Sequence, residues 1–288
     1  MRRTKKKKAK ILRIVFAFAV LSAAAVIIFE PHAHFAATDT LRRIKANEKA
    51  AEMLTLNIET AEYTLTELEN DERVTFDNSL MLINTDHLLP PNYDADIAEY
   101  GDSEVFMSSC AVESFGRLCA DVAEKFGENL YVADDYRTAD EQAELIRSEG
   151  STAQKLNASE HQAGLALDVF RLYCAGVHFP TSDMGKFVDT ECGNYGFIMR
   201  YPWYGIIKTG IEYEPWHIRY VGMPHAKIIN SSLTTLESYI ESYTPGKFYT
   251  YGDYTITRQK GETFILPADF GSAVISPDNT GTYIITMQ

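Results

Sequence analysis

The sequence predicts an α+β fold: a small antiparallel sheet with flanking helices that carries a cleft, preceded by an N-terminal transmembrane helix and followed by a small β-rich appendage. Three observations predict it. Residues 11–29, "ILRIVFAFAVLSAAAVIIF", are apolar except for Arg13 and Ser22. Residues 78–243 mix segments of helical period with short segments of strand period. Residues 244–288 alternate Tyr, Thr and Ile between Gly-containing turns, the pattern of short strands.

Taken in order, residues 1–10 form a basic cytoplasmic segment. Residues 1–13 carry eight Lys and Arg and no acid; of 27 basic residues in all, 19 remain to face 40 acids in the rest of the chain. A body that acidic excludes nucleic acid as a partner, because that partner requires basic surface to displace its counterions. As a helix, residues 11–29 span about 28 Å, close to the ~30 Å of bilayer hydrocarbon. Positive flanking charge holds the N-terminus inside, which predicts a single-pass cell-membrane protein with everything after Phe29 outside the cytoplasm. A cleaved signal peptide is the alternative; the length of the run, and the lack of a small-x-small site just beyond it, favour the uncleaved anchor. Residues 30–77 read as a stalk or linker. Ile44, Ala51, Leu54, Ile58, Ala61, Leu65 and Leu68 follow three-four spacing and predict a helix from Thr38 to about Leu68. A spacer helix packed on its own domain is the default; a dimerising coiled coil is the lesser reading.

The main domain is expected over residues 78–243. "LMLINTDHLLPPNY" starts apolar and ends in a Pro-Pro break, like a strand or an extended arm. "SCAVESFGRLCADVAEKFG" is an amphipathic helix, with Val112, Phe115, Leu118, Cys119, Val122 and Phe126 on one face and Gly127 as its stop. "NLYVADDYR" is a strand leading to Arg137. In "TADEQAELIRSEG" Thr138 and Glu141 predict a capping box and a helix. "GLALDVF" and "PWHIRYVG" are strands. The four cysteines suit an exported chain able to form disulfides. Cys174 and Cys192 flank a loop-like stretch and are the expected pair. Cys110 and Cys119 fall ~13 Å apart if they share a helix, too far to bridge, and are expected as buried thiols.

The chemistry concentrates in two places. In "SEHQAGLALDVF" His161 stands seven residues before Asp168, with Gly164 allowing a turn between them. The strand period puts Ala166, Asp168 and Phe170 on one face and Leu165, Leu167 and Val169 on the other, toward the core. One His and one Asp make an incomplete zinc site, since catalytic zinc takes three protein ligands. "YEPWHIRYVG" offers the third: His217, with Arg219 and Val221 on its face, and Glu214 three residues before it on the bend that enters the strand. A carboxylate beside such a metal suits the general base of a metallohydrolase. His32, His34, His87, His178 and His225 lack partners at useful spacing and are expected as non-ligands.

Ser159-x-His161-x-x-Gly164-x-Ala166-x-Asp168 followed by Glu214-x-Trp216-His217 resembles the LAS zinc metallopeptidases, most closely their VanY-like D-alanyl-D-alanine carboxypeptidase branch. "DDYRTADEQ", "GFIMRYPW" and "TGIEYEPWHIRYVG" match in order, so the resemblance runs from about Asn78 to Met223. It implies one zinc ion per chain held by His161, Asp168 and His217, with Glu214 as catalytic base and Arg137 engaging the substrate near the scissile bond and its terminal carboxylate. Gln142, Ser159 and Tyr201 correspond to positions lining the substrate pocket. The implied activity is removal of the C-terminal D-alanine from peptidoglycan stem peptides or precursors. L,D-cleavage of tetrapeptide stems, an endopeptidase acting on cross-links, and a zinc-bearing module that binds wall peptides without cleaving them are the alternatives. One departure stands out: where the family has a Gly-Lys-rich turn after "RYP", this chain has "WYGIIK".

Overall fold

In the computed structural model, which describes residues 51–54, 59–150 and 153–288, the chain enters as strands and not as a helix. β1 (Glu52–Leu54) and β2 (Thr60–Thr64) are followed by α1 (Leu65–Glu69) and β3 (Val74–Phe76). Over its described part, the helical stalk expected from Thr38 to Leu68 is therefore corrected. Two features of residues 60–69 override the three-four spacing. In β2 the outward Thr60, Glu62 and Thr64 alternate with the inward Ala61 and Tyr63, so the apolar positions also fit a period of two. Thr64 then forms a reciprocal capping box with Glu67 and starts the helix only there. The expected transmembrane helix, and the part of the stalk before residue 51, lie outside the described residues. Among those described, no helix is long and apolar enough to cross a membrane.

The expected arm is buried over Leu80–Ile83 but does not pair as a strand: Leu80 lies in a turn and Met81–Ile83 follow without regular structure. A small hairpin, β4 (Ile97–Glu99) with β5 (Phe106–Ser108), leads into the amphipathic α2 (Ser109–Phe126), which Gly127 ends in the left-handed conformation. β6 (Tyr131–Asp134), α3 (Ala139–Glu149) with the expected Thr138–Glu141 box, β7 (Ala166–Phe170), α4 (Asp183–Glu191), β8 (Phe197–Tyr201), α5 (Ile206–Thr209) and β9 (Glu214–Tyr220) follow. The four strands make the predicted antiparallel sheet, in the order β6-β7-β9-β8. Leu167, Val169, Phe197 and Ile218 pack from one face of it against Phe115, Leu118 and Val122 of α2.

After α6 (His225–Ser232) and α7 (Leu236–Ser242), the chain ends in β10 (Phe248–Tyr251), β11 (Tyr254–Gln259), β12 (Thr263–Pro267), β13 (Ala273–Pro277) and β14 (Tyr283–Met287). The expected β-rich appendage is present, but it is not confined to residues 244–288. Its six-stranded sheet runs β1-β10-β11-β14-β13-β3, and β12 pairs with β2, so strands from both sides of the main domain build one β module. Sequence pattern identifies strands but not such distant pairings. The module shares a core with the rest: Leu80 and Leu82 of the arm, Ile198 of β8, Ile228 and Ile229 of α6 and Ile240 of α7 cluster with Ile256 and Ile284. All four cysteines are free, which corrects the expected Cys174–Cys192 disulfide. Cys192 is buried in the core among α2, α4 and β8, whereas the Cys174 thiol donates to the His178 carbonyl. Cys110 and Cys119 are half-buried on α2 and also free.

Two predictions follow from this packing. Deleting residues 244–288 strips partners from β1, β2 and β3 and uncovers the arm, so the truncated chain is expected to lose its cooperative thermal transition. A circular-dichroism melt as sharp as that of the full chain contradicts this. Second, burial pushes His225 down to about 3. Its Nδ1 meets the Tyr239 hydroxyl at 2.6 Å and its Nε2 the Thr286 hydroxyl at 2.9 Å. A histidine kept neutral in the fold contributes stability above its unfolded value of ~6.5, and that stability is lost as pH falls toward 3 at up to ~1.4 kcal/mol per unit. Urea unfolding between pH 7 and 4.5 should show that slope, and His225→Gln should flatten it.

Candidate active site

β7 and β9 are antiparallel neighbours, and their register sets Asp168 directly opposite His217. Directly opposed residues on one face bring their side chains together. His217 Nδ1 lies 2.9 Å from Asp168 Oδ1. His161 reaches the same oxygen from another element, a single 3-10 turn at Glu160–Ala163, with its Nε2 at 3.6 Å. One ligand atom from each of His161, Asp168 and His217 falls within a 4.8 Å group. The imidazoles meet edge to face, with centroids 5.0 Å apart.

The turn that delivers His161 ends at Gly164, with φ +65°. A Cβ there would stand 2.4 Å from Ile97 Cδ1 and 2.7 Å from the Ser108 backbone nitrogen, so only glycine fits. The Gly164 carbonyl accepts from Ser108 N at 2.7 Å, tying the turn to the start of α2. His161 Nδ1 sits 2.7 Å from the Asp135 carbonyl. A carbonyl can only accept, so Nδ1 carries the proton and Nε2 offers its lone pair to the cluster.

Glu214 is placed by an irregularity. Between Met199 and Tyr201 on β8 the partner strand advances from Ile218 to Glu214, so β9 holds extra residues there, with Pro215 among them. The bulge breaks the alternation that would send Glu214 and His217 to opposite faces. Glu214 Oε2 thus comes within 3.7 Å of His217 Nδ1. Burial, chiefly, raises the Glu214 carboxyl above its ordinary range. Asp168 goes the other way: burial alone would raise it, but the two imidazoles beside it hold it low. Burial would depress His217, yet the carboxylates of Asp168 and Glu160 beside it push it up to about 10 when no metal is present.

This donor set fits a zinc ion. Asp168 Oδ1 is buried without a hydrogen-bond donor, although two imidazole nitrogens converge on it. Two imidazoles and one carboxylate, with the His161 tautomer fixed by a carbonyl behind it, are the pattern of a catalytic zinc site with a position open to substrate.

The VanY profile, D-alanyl-D-alanine carboxypeptidase, matches residues 104–223. A D-alanyl-D-alanine carboxypeptidase of Enterococcus faecium is 31% identical over 237 residues, which is 77% of this chain and 76% of that protein. The chain belongs to the VanY family. The fold agrees: the vancomycin-resistance D,D-dipeptidase VanXYg, solved with a D-Ala-D-Ala phosphinate analogue, superposes with a TM-score of 0.66 at 22% identity, over 80% of this chain and 98% of that one. The LdcB LD-carboxypeptidase superposes at 0.52 with 29% identity, over 69% of this chain and 97% of that one.

In this VanY-family chain the remaining expected residues fall around the cluster in different ways. The Arg137 backbone N–H donates to the His161 carbonyl at 3.1 Å. Its guanidinium pairs with Asp134 and donates from Nη1 to Gln142 Oε1 at 2.6 Å. Gln142, expected in the pocket lining, is fully buried and holds Arg137 on one side and the Gln154 carbonyl on the other. Ser159 is buried at the head of the 3-10 turn. Tyr201 packs at a tilt against His217, with centroids 4.8 Å apart, and lines a cavity of about 480 Å³ with Ile146, Gln154, Leu156 and Ile211. Thr209 and Gly210, just past the divergent "WYGIIK", line it too.

Sequence reasoning missed Glu160, Arg200 and Glu237, and it placed Arg219 only as a face-mate of His217. All four are buried and paired with one another beneath the cluster. The signals were present: an acid adjoining His161, and an Arg inside the otherwise apolar strands "FIMRY" and "WHIRYV". Buried arginines demand partners. The crowding at Gly164 generates a prediction. Gly164→Ala is expected to cost ~2–3 kcal/mol in urea unfolding and to weaken zinc retention by displacing His161; an unchanged unfolding midpoint contradicts it.

Proposed function

We propose that the chain is a zinc D-alanyl-D-alanine carboxypeptidase in which His161 Nε2, Asp168 and His217 Nδ1 hold the metal. It trims the terminal D-alanine from peptidoglycan stem peptides. The observation that carries this reading is the cross-strand pairing of Asp168 with His217, with His161 closing on the same oxygen and Glu214 beside them. Zinc bound there supplies Lewis acidity to the scissile carbonyl and to the attacking water. Glu214, half-buried and with its carboxyl raised, takes the proton from that water and returns it to the leaving amine. Arg137 engages the free terminal carboxylate, for which a guanidinium fork is suited. It does so by exchanging its Asp134 contact for substrate while Gln142 keeps it in place. The cavity beside Tyr201 takes the part of the stem peptide ahead of the scissile bond. The basic head and apolar run of residues 1–29 support a membrane anchor, with the catalytic domain outside the cytoplasm.

The test is mass spectrometry of stem peptides incubated with the protein, with and without a chelator. Chelator-sensitive loss of one alanine from the pentapeptide is the expected result. Shortening of the tetrapeptide alone would make the enzyme L,D-specific, and no shortening of either would overturn the reading. Glu214→Gln is expected to retain zinc while kcat falls roughly 10²–10⁴-fold. His161→Ala is expected to lose both zinc and activity, and a fully metallated, active variant would remove His161 from the ligand set.

A further inference from the structure

Beneath the metal ligands lies a cluster of charges shut off from water. Glu160 and Arg219 are fully buried, Arg200 is 1% exposed and Glu237 5%. Taking each such ion out of water costs several kcal/mol unless geometry repays it, so their placement calls for a cause. Glu160 uses only half of its carboxylate on the arginines. Its Oε1 accepts from Arg200 Nε at 2.7 Å and lies 2.7 Å from Arg219 Nη1. Its Oε2 has no hydrogen-bond partner, and neither has His217 Nε2; the two atoms face each other at 3.6 Å.

His217 turns its other nitrogen, Nδ1, toward Asp168 and the metal position. For Nδ1 to offer a lone pair, Nε2 must carry the proton, and a buried N–H requires an acceptor. We propose that Glu160 is the positioning residue for His217: its Oε2 fixes the Nε2–H tautomer, and Arg200 with Glu237 extends that control to α7. The guanidinium of Arg200 that holds Glu160 through Nε makes a two-point contact with Glu237 on α7, Nη1 to Oε2 at 3.1 Å and Nη2 to Oε1 at 2.5 Å. Arg219, which braces the same Glu160 oxygen, is held in turn by the Ser79 and Met81 carbonyls of the arm. The far end of α7 is held by Arg258 of β11, whose Nη1 donates to the Ile240 carbonyl at 3.1 Å. A continuous set of contacts therefore runs from the β module through α7 to the imidazole that binds the metal. The proposal rests on the reading of His161, Asp168 and His217 as zinc ligands.

The experiment measures zinc affinity by chelator competition in the full chain, alongside the visible spectrum of the cobalt-substituted protein, kcat and KM. Glu160→Gln is expected to keep the native circular-dichroism spectrum, to bind zinc about 10–100-fold more weakly and to shift the cobalt bands, with KM little changed. Glu237→Gln, which leaves Glu160 in place, is expected to move zinc affinity and spectrum in the same direction by less. A folded Glu160→Gln variant with wild-type zinc affinity and an unchanged cobalt spectrum overturns the proposal. Should Glu160→Gln fail to fold, Glu237→Gln decides: unchanged affinity and spectrum overturn it, and the smaller shift supports it. His161→Ala separates the two readings. If zinc stays bound in that variant, the ligand set is wrong; if zinc is lost there but kept in Glu160→Gln, only the positioning role falls.

Discussion

The site depends on one constraint, the register of β7 against β9. Asp168 meets His217 because the two strands pair at that residue; a slip of one position would carry one of the two side chains to the opposite face. The core makes such a slip costly. Leu167, Val169 and Ile218 fill the far face against α2, and the same slip would bring them into the cleft. The register is also held from outside the ladder. Tyr220 N donates to the Leu165 carbonyl just before β7, and Arg219, one place along from Ile218, is fixed by Glu160 from the turn that carries His161. Asp168 and His217 are thereby locked to His161.

Regular strands alone would not complete the chemistry. For the Glu214 carboxylate to stand beside His217, three residues away, both must face one way, and a period of two forbids it. The bulge in β9 resolves the conflict, and Pro215, which has no N–H to donate, sits in it without leaving a ladder bond unmade. A second irregularity between Val132 and Asp134 re-aims the end of β6, so that Asp134 stands opposite Asp168 and pairs with Arg137. The two bulges flank the cluster, one placing Glu214 beside His217 and the other placing Asp134 for Arg137.

Much of this was legible in the sequence because it is local. Periodicity marked α2, α3 and the strands β6, β7 and β9; Thr138 and Gly127 marked two of their ends; and His161, Asp168, His217 and Glu214 lie in two short segments whose spacing carries the geometry. What was not legible depends on partners far away in the chain. Three-four spacing before Leu68 could not reveal that β1 would pair with Phe248–Thr250 and β2 with Thr263–Pro267. Cys174 and Cys192 are close enough in sequence to suggest a bridge, but one is sealed in the core and the other is not. Gln142 is expected in the pocket lining from the resemblance; that it is buried and holds Arg137 depends on packing the sequence does not show.

The arm explains why the β module matters to the site. Residues 80–83, a turn at Leu80 followed by irregular backbone, are buried yet join no sheet, which leaves their backbone groups to be satisfied individually. The module supplies part of this: Leu80 N donates to the Ser276 hydroxyl, Leu82 N to the Asp278 carbonyl, and Asn279 Nδ2 to the Leu82 carbonyl. The Met81 carbonyl, with that of Ser79, points the other way and accepts from Arg219. Had these residues formed a strand, those carbonyls would be engaged in a ladder, and a fully buried guanidinium would lack two of its acceptors. A buried Arg219 without them would be left with the Tyr220 carbonyl and Glu160, and Glu160 adjoins His161 and faces His217. The arm is irregular because its carbonyls are used where the charge is, and the module keeps it so by occupying the opposite side.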